Sequence, residues 1–345
     1  MKKSYIASLA LATILTTSTL PAHASDGSPP PKQESPSSLT LHDEATTGNL
    51  PITLSGRYHS GAEFGSGGAE IVAYDERSNQ IFSINGDAQS IDILADDALK
   101  DHTIFNEIPL KKQLYVKDLD PNLSSVGDLT SIAVHPTEDI IAVATVADPK
   151  TDPGHVIFMK NDGSHLSTVE VGALPDMITF TPDGEKLLVA NEGEPSDDYH
   201  INPEGSVSII DISKGAEQAA TIETATFSDD IVEENVRKVH PDSSYAEDLE
   251  PEFIAVTSDS SLAYVVLQES NAIAILDLNE NKFKSVKSLG YKDHSETGRG
   301  MDVSDKDGKI NIQQWPVLGI HQPDAIALYE TNGKTYIVTP NEGDA

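Results

Sequence analysis

Acidic residues stand at two places in a segment that recurs along the chain. A leading acid occurs at Glu70, Asp176, Glu252 and Asp324, and a trailing acid follows a short apolar run at Asp87, Glu192, Glu269 and Glu342. The amides Asn191, Gln268 and Asn341 precede three of the trailing acids. If the recurring segment is a hairpin, the start of its first strand and the end of its second lie side by side, so both acids share one end. Carboxylates gathered this closely repel one another unless a cation neutralises them or some take up protons. Oxygen-only donors select hard cations, so the spacing predicts a divalent-metal site, calcium first, with magnesium and manganese behind it. The other use of such acids is to cap turns by accepting backbone N–H bonds; recurrence at both positions favours the metal.

A second acidic group, Asp302, Asp305 and Asp307, precedes Gly308. Aligned on that glycine as the sixth position of an EF-hand loop, Asp305 and Asp307 fall at the third and fifth. Val303 and Gln314 then occupy the first and twelfth, where the motif needs Asp and Glu. The loop is therefore not an EF-hand, and both a calcium-bound and a purely turn-forming loop stand as readings.

Other chemistries are missing. With no cysteine there is no disulfide framework, thiolate nucleophile, cysteine-ligated zinc or iron–sulfur cluster. There is no G-x-S-x-G elbow and no H-E-x-x-H helix, and Gly65-Ser66-Gly67-Gly68 lacks the lysine of a phosphate loop. His135, His294 and His321 are isolated and read as turn or packing residues, and Trp315 as a packing anchor. No catalytic residue follows from the sequence.

The elements that must position the acids are short strands. Leu174–Phe180 leads through Thr181-Pro182-Asp183-Gly184 into Lys186–Ala190; Glu250–Val256 leads through Ser258-Asp259-Ser260 into Leu262–Val266; Gln322–Leu328 leads through Asn332-Gly333 into Thr335–Val338. Weaker copies run from Ala69–Tyr74 into Gln80–Ile84 and from Thr130–Val134 into Ile140–Val143. A repeat at roughly 40 to 50 residues signals propeller blades, and these units recur at somewhat longer spacing. The stretches 194–204, 212–248 and 281–321 are accordingly read as insertions. The fold expected over 51–345 is an all-β propeller of about five blades, with a solenoid or sandwich of hairpins as the alternative.

Lys and Arg number 23 against 56 Asp and Glu, a formal charge of −33 over 345 residues. That charge excludes nucleic acid as a partner, since phosphates need cationic contacts, and it opposes an anionic membrane surface. Met1-Lys2-Lys3, an apolar stretch from Tyr5 to Leu15 and Ala22-His23-Ala24 form a signal peptide expected to be cut after Ala24. Residues 25–50, rich in Pro and Ser, read as a disordered tether. No stretch approaches the ~20 apolar residues of a transmembrane span.

Gly68–Asp75, Leu249–Glu252, Lys292–Ser295, Asp302–Trp315, Gln322–Ile326 and Asn341–Ala345 resemble the choice-of-anchor I family. That family includes mesenchyme-specific cell-surface glycoproteins and bacterial secreted proteins often labelled alkaline phosphatase. Thr181–Gly184 with Val189–Asn191 is also similar to the YVTN/WD40-like repeats of bacterial surface propellers. The resemblance implies a secreted or surface-anchored propeller of the seven-bladed type with calcium or phosphate chemistry. Family chains run on past Asn-Glu-Gly-Asp-Ala, so a fragment of a longer product is expected. Two functions follow as expectations. The first is a calcium-binding extracellular propeller that adheres to polymer, mineral or protein. The second is a metal-dependent phosphoesterase acting on a phosphate-containing small molecule, for which the sequence shows few cations beyond Lys292 and Arg299.

Overall fold

Successive residues of a strand point to opposite faces of a sheet, so a run of consecutive apolar residues needs cover on both. Ile141–Ala144 and Leu187–Ala190 are such runs, and all of their residues are fully buried. The computed structural model describes residues 56–63, 66–95, 106–120, 123, 126–304 and 306–342. The expected signal peptide, the tether, Asp305 and residues 343–345 lie outside them.

Each blade is a four-stranded antiparallel meander. The first comprises β1 (Val72–Asp75), β2 (Gln80–Asn85), β3 (Ser90–Ala95) and β4 (Leu110–Tyr115). The second comprises β5 (Leu129–Val134), β6 (Ile141–Thr145), β7 (Pro153–Met159) and β8 (His165–Ala173). In the third are β9 (Pro175–Phe180), β10 (Lys186–Asn191), β11 (Ser206–Asp211) and β12 (Ala220–Thr226), and in the fourth β13 (Ile254–Val256), β14 (Leu262–Leu267), β15 (Ala272–Asp277) and β16 (Lys282–Ser288). A further hairpin, β17 (Ala327–Thr331) and β18 (Lys334–Val338), begins a fifth. The first strand of each unit contacts the first strand of the next, which makes these the innermost strands of a β-propeller.

Apolar clusters lie between blades rather than within them. Phe82 and Ile84 pack with Ile141 and Val143 between the first and second; Phe158 packs with Leu187 and Val189 between the second and third. Leu188 and Val207 meet Val265 and Leu276, and Val266 and Ile273 meet Ile326. The connections repeat as well. Thr181 donates its hydroxyl to Asp183 Oδ1 at 2.6 Å, and Thr257 does the same to Asp259 at 2.8 Å. The turn closes with Gly184 at φ 77°, a left-handed position that favours glycine.

Two stretches expected to be insertions contain strands. β12 lies within 212–248 and β16 within 281–321. Both are outer strands with exposed polar positions (ATIETAT and KFKSVKS), so neither carries the apolar run that marks the inner ones. The genuine insertion at 294–317 is anchored as expected by Trp315, whose Nε1 donates to the Met301 carbonyl at 2.9 Å.

Burial between blades sets the expected stability map. Phe158→Ala, at a position with no exposed surface, should cost about 3–5 kcal/mol, read as a lower urea midpoint at unchanged slope. Ile222→Ala on the outer strand, 45 % exposed, should stay within about 0.5 kcal/mol of the parent.

Candidate functional site

The leading acids owe their aim to a repeated irregularity of the inner strands. In the third blade Pro175 pairs with Asn191 and Met177 with Ala190, so Asp176 is an extra residue in the ladder. In the second, Thr130 is extra in the same way between Leu129 and Ser131. In the fourth, the Glu252 N–H donates to the Val266 carbonyl and the Val266 N–H to the Phe253 carbonyl, so two residues face one. Between the Pro323–Asn341 bridge and the Ala327–Val338 pair, the strand bearing Asp324 again has one residue more than its partner. A β-bulge re-aims the side chain it carries, and here each lies at the same end of an inner strand. Thr130 also ties blades together by donating to the Pro175 carbonyl.

The acids so placed crowd one another. Asp176 is pushed up to about 6 by burial, with Asp324 and Glu194 adding to it. Burial, then Asp176, Glu194, Glu250 and Glu269, pushes Glu192 up to about 9. Glu250 rises to about 8 through burial and the charges of Glu269 and Glu194. Glu252 is raised above the ordinary glutamate range by burial, by Glu269 and Glu192, and by a hydrogen bond shared with Glu269. Burial and Glu342 raise Asp324. On the far side, Gln268 Nε2 donates to Glu342 Oε2 at 3.0 Å. Glu269 Oε2 and Gln322 Oε1 are buried without a hydrogen-bond partner.

A cleft of about 490 Å³ opens over the acids, lined by Glu194, Glu250 and Glu269 with Lys150, Tyr199 and His240. Its walls are loops with local causes. The β10–β11 connection returns through Gly205, where an added Cβ would sit 1.9 Å from the Leu249 carbonyl oxygen. The facing loop is held by Asp248, which accepts from the Val239 and His240 N–H groups at 2.9 and 2.6 Å. Asp248 ends a short helix, Tyr245–Asp248, whose capping box joins Ser244 and Glu247. Arg237 on that loop donates to the Glu269 carbonyl. Lys150 reaches in from the β6–β7 connection and pairs with Glu194, which holds the ammonium pKa above its usual value.

Residues 70–345 match the choice-of-anchor I domain. The chain belongs to the choice-of-anchor I family. Membership of a choice-of-anchor family points to a cell-surface or secreted protein, and among the described residues no helix is long and apolar enough to cross a membrane. No curated protein matches the chain. Solved structures similar to it include a functionally unknown protein from Desulfotomaculum acetoxidans (11 % identity, TM-score 0.47, covering 78 % of this chain and 62 % of that one). Others are the Cps50 (Swd1) β-propeller domain of Myceliophteria thermophila (11 %, 0.41, 65 % and 57 %) and a nidogen/laminin complex (12 %, 0.38, 64 % and 63 %). The chain thus spans about three fifths of the length of each.

In this choice-of-anchor I propeller, six of the expected acids form one neighbourhood: Asp176, Glu192, Glu252, Glu269, Asp324 and Glu342. Glu70 and Asp87, on the first blade, are exposed and enter none of the couplings above. The ladders also shift the expected register. Asn85–Ser90, Asn191–Ser206 and Leu267–Ala272 are equivalent closing pairs, so Gln268, not Glu269, occupies the place of Glu192, and Gly86 does so in the first blade. Of the amides, Asn191 is fully buried and bonded to Ser206, Ser208 and the Gly172 N–H, which makes it a brace rather than a ligand. His135 is likewise a packing residue, accepting from Thr137 and Glu138 and lying 5.0 Å from the Phe180 ring. Asp302 and Asp307 accept backbone N–H bonds from Ser304, Asn311 and Lys309, as turn formers do. Glu194, Glu250 and Lys150 were not singled out from the sequence, although Glu250-Pro251-Glu252 and Glu192-Gly193-Glu194 place two of them beside acids that were.

The raised carboxyls fix a sign. Protonated in the folded chain where the unfolded chain has lost its protons, they contribute stability that is complete below the ordinary carboxyl values near 4. It is lost as pH climbs through about 6, 8 and 9. In EDTA the melting temperature should therefore fall steadily from pH 5 to pH 9. Glu192→Gln should flatten the fall.

Proposed function

We propose that this choice-of-anchor I propeller is an extracellular calcium-binding module whose acidic cleft carries its contacts with polymer, mineral or protein. The observation that carries the reading is the crowding of Asp176, Glu192, Glu194, Glu250, Glu252 and Glu269, with Lys150 the one lysine of the described residues that lines the cleft. Burying like charges together is unfavourable unless protons or a cation compensate. The donor set is oxygen only, and the orphaned Glu269 Oε2 and Gln322 Oε1 suit a hard cation. Among the described residues no three His, Asp or Glu side chains converge tightly enough to hold an ion as they stand, so binding draws them inward from the ring. Glu192, Glu252 and Glu269 would hold it, with Asp176 and Glu250 nearest. The ion displaces the shared protons, so affinity rises with pH.

Lys150 favours a second reading, a metal-dependent phosphoesterase. It supplies within the cleft the cation that the sequence did not place there, whereas Arg299 is paired with Glu296 at 3.0 Å outside it. A phosphate could be met by the Lys150 ammonium, and a divalent ion would supply charge neutralisation and water activation.

Calorimetric titration of calcium at pH 7.5 should show saturable binding with proton release. Glu192→Gln or Glu252→Gln should weaken it about ten-fold or more, by loss of a charged ligand; absence of binding would refute the module. Hydrolysis of a chromogenic phosphate monoester with calcium, magnesium or manganese, abolished by EDTA and by Glu192→Gln, would put the phosphoesterase first. Calcium binding without turnover leaves the binding module.

A further inference from the structure

The acidic cleft carries a cation of its own, Lys150. This lysine stands in the turn between β6 and β7, and the turn has a fixed base. The Val146 N–H donates to the Asp128 carbonyl at 2.9 Å, the Gly127 N–H to the Val146 carbonyl at 2.7 Å and the Asp152 N–H to the Pro149 carbonyl at 3.1 Å. From there the ammonium reaches across to Glu194 Oε2 and pairs with it. The two side chains are 37 % and 41 % exposed, so the pair stands open to exchange with dissolved ions.

Glu194 is the acid on which the others converge. Its charge is among those that raise Asp176, Glu192 and Glu250. The Lys150 ammonium feels Asp197 and Glu192 beyond its partner, and it draws Glu250 back down. The basic side chains of the facing loop are engaged elsewhere. Arg237 donates to the Glu269 backbone carbonyl, Lys238 lies 5.1 Å over the Tyr245 ring, and His240 packs against the Tyr199 ring at 5.1 Å.

Charge decides which ion gains from entering. A monovalent ion that takes Glu194 from Lys150 exchanges one unit charge for another. It leaves Glu192 and Glu250 as crowded as before, and it forfeits a charge-assisted hydrogen bond from a donor already held in place. A divalent ion adds a net positive charge where the acids converge, and the carboxylates around it offset its lost hydration.

We propose that Lys150 is the selectivity residue of the cation site: as a tethered monovalent cation on Glu194 it shuts out sodium and potassium, and calcium or another divalent ion enters by displacing it. This role rests on the cation reading of the cleft and adds to it the charge of the ion admitted.

The test is calorimetric titration of calcium into the full chain at pH 7.5 and constant ionic strength, once in sodium chloride and once in N-methylglucamine chloride, whose cation is too bulky to sit among carboxylates. The parent should bind calcium equally well in both. Lys150→Met keeps most of the stem and removes the charge. It should bind calcium about ten-fold more tightly than the parent in N-methylglucamine and lose about ten-fold on transfer to sodium. Lys150→Arg should restore the indifference to sodium, and Lys238→Met, which removes a charge outside the pair, should match the parent. The sodium dependence is read within one variant, so it does not hinge on how well two variants fold. Equal calcium affinity in the parent and Lys150→Met, or the same sodium dependence in both, overturns the role of Lys150 and leaves the cation reading standing. Uptake of calcium by neither chain overturns the cation reading, and the selectivity with it.

Discussion

Covering both faces of the second, third and fourth blades is the demand from which the rest of this structure follows. Residues such as Leu187 and Leu188 point to opposite sides of one strand, and both are fully buried because a neighbouring blade lies on each side. The raised acids of the third and fourth blades accordingly stand at strand ends, where backbone pairing stops and loops begin, while Asp92, fully buried in mid-strand in the first blade, accepts from Tyr58, Asn85, Ser90 and Gln113. The bulge at Asp176, repeated at Glu252 and beside Asp324, uses that freedom. One extra residue leaves the apolar register of the inner strand intact and turns an acid toward its neighbours. The same device in the second blade carries Thr130, which links blades instead of adding charge.

Crowded carboxylates make this end of the propeller unfavourable unless a cation or protons compensate. Asp176, Glu192, Glu250, Glu252 and Asp324 rise in pKa through burial first and their neighbours second, and a hydrogen bond joins Glu252 to Glu269. Lys150 and the carbonyl contact of Arg237 answer only a fraction of this charge. An acidic site of this kind stays open to a divalent cation that the surroundings supply, because ligand and proton compete for the same oxygens. The loops over it are braced by neutral means, the capping box of Ser244 and Glu247 and the wedge of Gly205, so their positions do not depend on that competition.

Much of this was legible in the residues. The repeated hairpins and the turns Thr181–Gly184 and Ser258–Ser260 announced blades, because apolar runs and turn residues are local signals. The outer strands Ala220–Thr226 and Lys282–Ser288 escaped notice because one side faces solvent and their composition is that of loops. Six acids were found by recurrence, yet Glu269 was set one residue out of register. Gln268-Glu269 resembles Asn191-Glu192 in chemistry, and only the ladder shows that Leu267 is the last paired residue. Lys150 could not be found this way, since it comes from a connection with no counterpart elsewhere and acquires its meaning from a loop more than forty residues away.

Whether the acids cap turns or wait for a cation was left open by their types alone, and the two uses separate by position and by direction of pKa shift. Asp211 closes its strand at the far end and Asp259 stands in the turn at that end, and both are held below the ordinary range by Ser213 and Ser261, whose N–H and hydroxyl groups donate to them. Asp176, Glu192, Glu250 and Glu252 lie at the opposite ends and are all raised. A capping acid is stabilised as an anion by the bonds it accepts. An acid that finds other acids where donors should be is destabilised as an anion, and it regains that loss only by a proton or a metal. The sequence spends both kinds within one blade, thirty-five residues apart or fewer between Asp176 and Asp211, which is why composition could register the acidity and not its two purposes.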